Sequence, residues 1–190
     1  MFDYLGVLIS VVLGLALTQL LTGVGRLVEL RGSVRIYWVQ LLWVFNIIFY
    51  VLAIWWGMFW WRGLHQWTFE AFLFLVAFSA LLYLLASSLF PTELKVGTDM
   101  AAHFDRNRRW FFGLLLACDL IDIPETLMKD AAHLRDVPAQ YAAFMAASVA
   151  LDLAGIALEQ RRAQAAIVCL WVMLNIGYTD FTAVARIVMR

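Results

Sequence analysis

The chain has 190 residues, of which 64% are hydrophobic and only 15% are charged, and its mean hydropathy is +0.82. Soluble domains are about half apolar and about one quarter charged, so this composition excludes an ordinary water-soluble protein and indicates one embedded in lipid. The 14 basic and 14 acidic residues balance, which gives no reason to expect a nucleic-acid partner.

Six long apolar segments account for nearly the whole sequence. A helix needs about 20 apolar residues to cross the hydrocarbon core of a bilayer, and each segment has this length. We therefore expect an all-α fold, a polytopic membrane helix bundle of about six transmembrane helices that forms a single transmembrane domain over residues 1–190. The predicted spans are 4–25, 37–61, 67–90, 110–129, 137–159 and 164–187.

The first predicted span begins MFDYLGVLISVVLG, with no basic segment ahead of the apolar run. We interpret it as a retained helix rather than a signal peptide. Small residues recur at every fourth position, at Gly6, Ser10 and Gly14, and predict a face for close packing against another helix. Gln19 places a polar group within the same span.

The second and third predicted spans are rich in Trp, Phe and Leu, which suits contact with lipid or with a large partner protein, and Asn46 lies within the second. Pro91 ends the third, because proline cannot continue a regular helix. The segment TELKVGTDMAAHFDRNRRW follows. We expect a solvated loop that ends in a basic anchor; the alternative is a helix on the membrane surface with Phe104 facing lipid.

The fourth predicted span, WFFGLLLACDLIDIPETLMK, carries the most informative polar residues. Asp119 lies near its middle, and Asp122 follows one helical turn later on about the same face. An ionised side chain at the bilayer centre costs about 2.5–3.5 kcal/mol on insertion scales. Both carboxyls should therefore face protein or water rather than lipid.

The fifth predicted span contains Asp152, which we expect further towards the cytoplasmic side than Asp119. It also contains a row of alanines at four-residue spacing, Ala142, Ala146 and Ala150. Such a row predicts another close helix contact.

The sixth predicted span contains Asn175 and Asp180. At a helical rise of about 1.5 Å per residue, Asn175 should lie at the depth of Asn46 and Asp119, near the middle of the membrane, and Asp180 should lie further out.

A shift of the chain by 100 residues superimposes the first three predicted spans on the last three and places Gln19 on Asp119 and Arg35 on Arg135. Three spans in each half would give the halves opposite orientations, which is compatible with the 3+3 inverted repeat of many transporters. Six helices of similar length with short loops produce the same spacing without a repeat, so this alternative stays open.

The orientation follows from the Lys and Arg residues in the loops and near the span ends, which concentrate on the cytoplasmic side of membrane proteins. Nine of them follow the first, third and fifth spans, and five lie on the other side. We therefore expect both termini outside. Tryptophans near the span ends, among them Trp43 and Trp61, suit the aromatic belts of the two interfaces. The segments LYLLASSLFP and RNRRWFFG resemble segments of bacterial membrane proteins, which implies a bacterial inner membrane and no particular activity.

Residues for catalysis, metal binding or cofactor attachment are missing from the predicted spans. His65, His103 and His133 all fall in predicted loops, on both sides of the membrane, so they form neither a metal site nor a haem site. We expect no enzyme activity, no metal and no cofactor.

The polar residues within the spans favour a small channel or transporter for protons, cations or a small solute. The residues expected to line its path or polar core are Asp119, Asp122, Asp152, Asn175, Asn46, Gln19 and Asp180. The alternative is a non-catalytic membrane subunit, scaffold or sensor that acts by binding a partner. The expected partners are membrane lipid and either a second copy of the chain or another membrane protein.

Overall fold

The computed structural model describes residues 2–58, 61, 68–129 and 138–188, and it describes side-chain surroundings for 6–58, 61, 68–128 and 139–179. Within these ranges the chain forms six helices and no sheet. They are α1 (Phe2–Glu29), α2 (Trp38–Gly57), α3 (Phe69–Ser88), α4 (Met100–Lys129), α5 (Pro138–Ala157) and α6 (Arg161–Val188). The predicted all-α fold class is confirmed.

Four of these helices, α1, α2, α3 and α5, are long and apolar enough to cross a membrane. This indicates a membrane protein. The exposed surface agrees, because large apolar side chains are more than half exposed along several helices, among them Val7, Leu15, Trp56, Phe69 and Leu73. So many exposed apolar side chains are unfavourable in water and suit lipid.

The helices pack in a closed order in which α1 contacts α3, α3 contacts α4, α4 contacts α5, α5 contacts α6, α6 contacts α2, and α2 returns to α1. An inverted repeat would require α4 to pack on α6 as α1 packs on α3. In the part of the chain that is described, the backbones of α4 and α6 do not approach each other. The packing therefore does not support the 3+3 repeat.

The loops that follow α1 and α3 meet at one end of the bundle. The Arg35 amide donates to the Thr98 carbonyl at 3.0 Å, and the Met100 amide donates to the Arg35 carbonyl at 3.1 Å. The turn between α5 and α6 lies at the same end, where Arg161 pairs with Asp105 at 3.0 Å. The three loops richest in Lys and Arg therefore share one end of the bundle, which we call the basic end.

Helix α4 begins at Met100, whereas the sequence predicted a span from residue 110. Asp99 explains the early start, because its carboxylate accepts hydrogen bonds from the backbone amides of Ala101 at 2.9 Å and Ala102 at 3.1 Å. This is the role of a helix N-cap. The two hydrogen bonds, that from Ala102 above all, lower the pKa of the Asp99 carboxyl.

Three residues of the predicted loop, Met100 among them, are consequently buried. Phe104 is only 2% exposed and packs on Phe111, with 5.9 Å between the ring centroids. Arg108 is 4% exposed. The expectations that Phe104 faces lipid and that Arg108 is a surface anchor are wrong, because the continuing helix turns both side chains into the bundle.

The guanidinium of Arg108 closes the end of α5. It donates hydrogen bonds of 2.7–2.9 Å to the carbonyl oxygens of Gly155, Ile156 and Leu158, and it pairs with Glu159 at 3.0 Å. The last carbonyls of a helix have no partner inside the helix and carry partial negative charge. A buried cation at this position therefore satisfies them.

The rows of small residues differ in their surroundings. Gly6, Ser10 and Gly14 are half-buried on α1, and the Ser10 hydroxyl accepts a hydrogen bond from the Trp55 indole of α2 at 3.1 Å. Ala142, Ala146 and Ala150 lie on the exposed side of α5. Within a single chain this alanine row does not form the predicted helix contact, because α5 packs on α4 and α6 through its other faces.

The contact between α4 and α5 depends on Gly155, because a Cβ atom there would overlap the ring of Phe112. We predict that Gly155→Ala lowers the free energy of unfolding by about 1–3 kcal/mol, the usual effect of overpacking a core. The matched control is Gly113→Ala on α4, where an added Cβ meets no atom within 4 Å. Melting of both variants in the same detergent tests this, and equal stabilities would contradict the proposed contact.

Candidate functional site

Polar side chains from four helices converge in the interior of the bundle. Five of them are at most 2% exposed: Asn46, Asp119, Glu125, Ser148 and Asp152. Polar groups at such positions are expensive in a membrane and are usually functional or hydrogen-bonded to other helices.

The centre of this cluster is a pair of carboxyl groups, Asp119 on α4 and Asp152 on α5. The Asp119 carboxyl lies beside the Asp152 carboxyl, the Ser148 hydroxyl and the Tyr50 hydroxyl. The Oδ2 atoms of both aspartates and the hydroxyl of Tyr50 are buried and have no hydrogen-bond partner of good geometry among the described residues. We call Asp119 and Asp152 the acid pair.

Helix α6 also contacts the acid pair, because the Trp171 indole donates a hydrogen bond to Oδ1 of Asp152 at 2.9 Å. The sequence predicted Asp152 further towards the cytoplasmic side than Asp119. In the structure Asp152 lies one turn of α5 nearer the basic end than Ser148, and both adjoin the Asp119 carboxyl. Helices α4 and α5 run antiparallel in the register that Arg108 sets at the end of α5. That register places Asp119 next to Ser148 and Asp152.

Two further carboxyls follow on α4, on the side of the acid pair away from the basic end. Asp122 is half-buried and accepts hydrogen bonds from the Tyr141 hydroxyl at 3.0 Å and the Thr126 hydroxyl at 3.5 Å. Glu125 is 2% exposed and accepts a hydrogen bond from the Trp61 indole at 2.9 Å. Helix α4 therefore carries a carboxyl at every third residue from its middle towards its C-terminal end.

Asn46 and Asn175 form the other buried polar contact, with the Asn175 amide donating to the Asn46 carbonyl oxygen at 2.9 Å. The two residues lie at the same level, as predicted. Gln19 is exposed on α1, outside the cluster. Asp180 belongs to α6, and its side chain lies outside the residues whose surroundings are described.

Neither residue of the acid pair forms an ion pair with any residue in the described ranges. A carboxylate buried without a cation is costly. Such a pair is therefore most stable when it holds a proton or a bound cation. Three or more potential metal ligands do not cluster anywhere in the described part of the chain.

An aromatic cluster separates the acid pair from the basic end. Trp43 lies edge-on to Phe111, Phe112 and Trp171, with ring centroids 5.0, 5.3 and 6.3 Å away. All four rings are buried. Trp43 and Trp61 therefore do not belong to the predicted interface belts, since both are 0% exposed.

The other side of the acid pair is less tightly filled. A cavity of about 10 Å³ adjoins Glu125 and Ser79 and is lined otherwise by apolar residues of α1, α2 and α3. This volume holds about one water molecule. The interior is therefore filled by rings between the acid pair and the basic end, and around Glu125 it leaves room for about one water molecule.

Comparison with known proteins finds no matching family model, no matching curated protein and no matching solved structure. Any proposal of function therefore rests on the geometry of the polar cluster.

A double-mutant cycle tests the contact between Asn46 and Asn175. We expect Asn46→Ala and Asn175→Ala each to destabilise the protein, and the pair to be coupled by about 0.6 kcal/mol, the average for hydrogen bonds between membrane helices. Gln19→Ala is the control, because Gln19 is exposed and its loss should leave the unfolding free energy unchanged. Additive effects of the two asparagine substitutions would contradict the contact.

Proposed function

We propose that the protein is a small channel or transporter of a bacterial inner membrane that moves protons, cations or a small solute, with protons first among them. It would cross the membrane six times, with both termini outside and the basic end in the cytoplasm. The observation that carries the proposal is the acid pair, because Asp119 and Asp152 adjoin each other in the interior without an ion pair to any described residue.

The groups around the acid pair suit proton exchange. Hydroxyl groups both donate and accept hydrogen bonds, and those of Tyr50 and Ser148 adjoin Asp119. Asp122 with Tyr141, and then Glu125, continue the row of polar groups towards the far end of α4. In this proposal, protons enter from that end and reach the acid pair along α4.

The aromatic cluster would be the closed gate. Passage to the basic end requires Trp43 and Trp171 to move apart, and Trp171 is itself bonded to Asp152. A change in the proton content of Asp152 would therefore alter a contact of the gate directly. This links occupancy of the acid pair to opening.

The alternative function is a non-catalytic membrane subunit, scaffold or sensor. The dense packing around Asp119 and Asp152, which are 2% and 0% exposed, favours it, because the pair would then be a structural tie between helices. The exposed rings of Trp55, Trp56 and Trp110 would provide the partner surface.

Flux measurements in liposomes separate the two functions. We expect purified wild-type protein to carry protons into liposomes that contain a pH-sensitive dye, under a membrane potential set by potassium and valinomycin. Asp119→Asn and Asp152→Asn should reduce the flux to the level of protein-free liposomes, because an amide cannot exchange the proton. Glu29→Gln is the matched control, since Glu29 is an exposed acid of α1 outside the cluster.

The melting temperature of each variant shows whether it is folded, and Asp→Asn preserves the side-chain shape. A folded wild type that passes no protons in this assay, and no potassium in liposomes without valinomycin, would overturn the ion-conducting function and favour the partner-binding subunit. Equal fluxes in wild type and folded Asp119→Asn would remove Asp119 from the path.

A further inference from the structure

An open groove runs between α5 and α6 on the outside of the bundle. Its volume is about 330 Å³, and it is lined by Ala147, Ala150 and Leu151 of α5 and by Leu170 and Leu174 of α6. Every lining residue is apolar, and Leu170 is 48% exposed. The groove is therefore a surface feature, separate from the buried polar cluster.

The position of the groove relates it to the acid pair. Leu151 and Leu170 directly precede Asp152 and Trp171 in the chain. The latter two side chains point inwards and bond to each other, while the leucines line the groove. The groove therefore lies on the outer side of the same stretch of α5 and α6 whose inner side carries Asp152.

One exposed basic residue precedes the groove along α6, at the basic end. Arg162 is exposed and forms no ion pair within the described ranges. Its neighbours differ, because Arg161 pairs with Asp105 and Arg109 pairs with Glu159. Arg162 is therefore available to an anion at the first turn of α6.

The distances from Arg162 to the groove along α6 match the depth of an acyl chain below a phospholipid phosphate. At about 1.5 Å per residue, Leu170 and Leu174 lie about 12 and 18 Å along α6 from Arg162, and half of the hydrocarbon core of a bilayer is about 15 Å thick. Ala166, which lies between Arg162 and Leu170 and is exposed, leaves the line between them unobstructed. A phosphate held by Arg162 would place an acyl chain at the level of the groove.

We propose that this groove seats one acyl chain of an anionic phospholipid whose phosphate pairs with Arg162. The inference rests on the proposed membrane placement of α6, with its first turn at the cytoplasmic surface. The charge of Arg162 selects the anionic headgroup, since each basic residue near an anionic surface adds to the binding of acidic lipids. The apolar lining accepts the chain but adds no headgroup preference.

The retention of lipid by the full-length protein tests this inference without any flux measurement. We would add phosphatidylglycerol or phosphatidylcholine of the same acyl chains to the detergent-purified protein and count bound lipid by native mass spectrometry. The wild type should retain phosphatidylglycerol in preference. Arg162→Gln should weaken that binding about fivefold, the effect of one basic residue, and Ala150→Phe should abolish it by filling the groove.

Two controls match these variants. Arg31→Gln removes an exposed arginine from another loop of the basic end, and Ala80→Phe enlarges an exposed alanine of α3. Both should bind lipid as the wild type does. Melting without added lipid verifies that all four variants are folded.

Three results would overturn the inference. Equal retention of the two lipids by the wild type, or unchanged binding by Arg162→Gln, would remove the anionic phospholipid from the groove. If Ala150→Phe leaves lipid retention intact but lowers the oligomer mass, the groove is instead a contact with a second copy. Because no step involves transport, these outcomes are independent of the proposed ion conduction.

Discussion

The register between α4 and α5 depends on the buried guanidinium of Arg108. A buried cation without partners is strongly destabilising, and this one is satisfied only where three carbonyls end α5 and Glu159 adjoins them. Once the guanidinium occupies that position, the ring of Phe112 packs against the backbone of Gly155, which has no Cβ atom. Asp119 then faces Asp152 further along the same two helices. A cation at one end of the interface thus positions the acids in the middle.

The interior combines two environments, which are those that the proposed proton path requires. Around the acid pair, hydroxyl and indole groups provide polar contacts. Between the acid pair and the basic end, the buried rings around Trp43 pack against one another. The same packing also suits a static subunit, since a protonated acid can tie two helices together through a hydrogen bond. The two functions differ in whether the Trp171 indole can move away from the Asp152 carboxyl. That depends on the motion of these groups and not on which residues form the site.

Apolar length and polar interruptions in the sequence were sufficient to predict the helices and the common level of Asn46 and Asn175. They were not sufficient to predict the burial of Arg108, because hydropathy does not tell which face of a helix meets a neighbour. The early start of α4 had a local signal, since Asp99 precedes a helix-forming segment as N-caps do. The burial of Trp43 had none, because it depends on rings of α4 and α6 that are distant in the sequence.

The polarity of α4 has a consequence for the biogenesis of the protein. This helix is not among the four apolar enough to cross a membrane by composition, since it carries Arg108 near one end and Asp119, Asp122 and Glu125 beyond its middle. Charged groups make partitioning of a single helix into lipid unfavourable. The carbonyls that satisfy Arg108 belong to α5, which is synthesised later. If α4 crosses the membrane as proposed, it therefore waits at the translocon or at the interface until α5 emerges, and the two helices enter the bilayer as a hairpin.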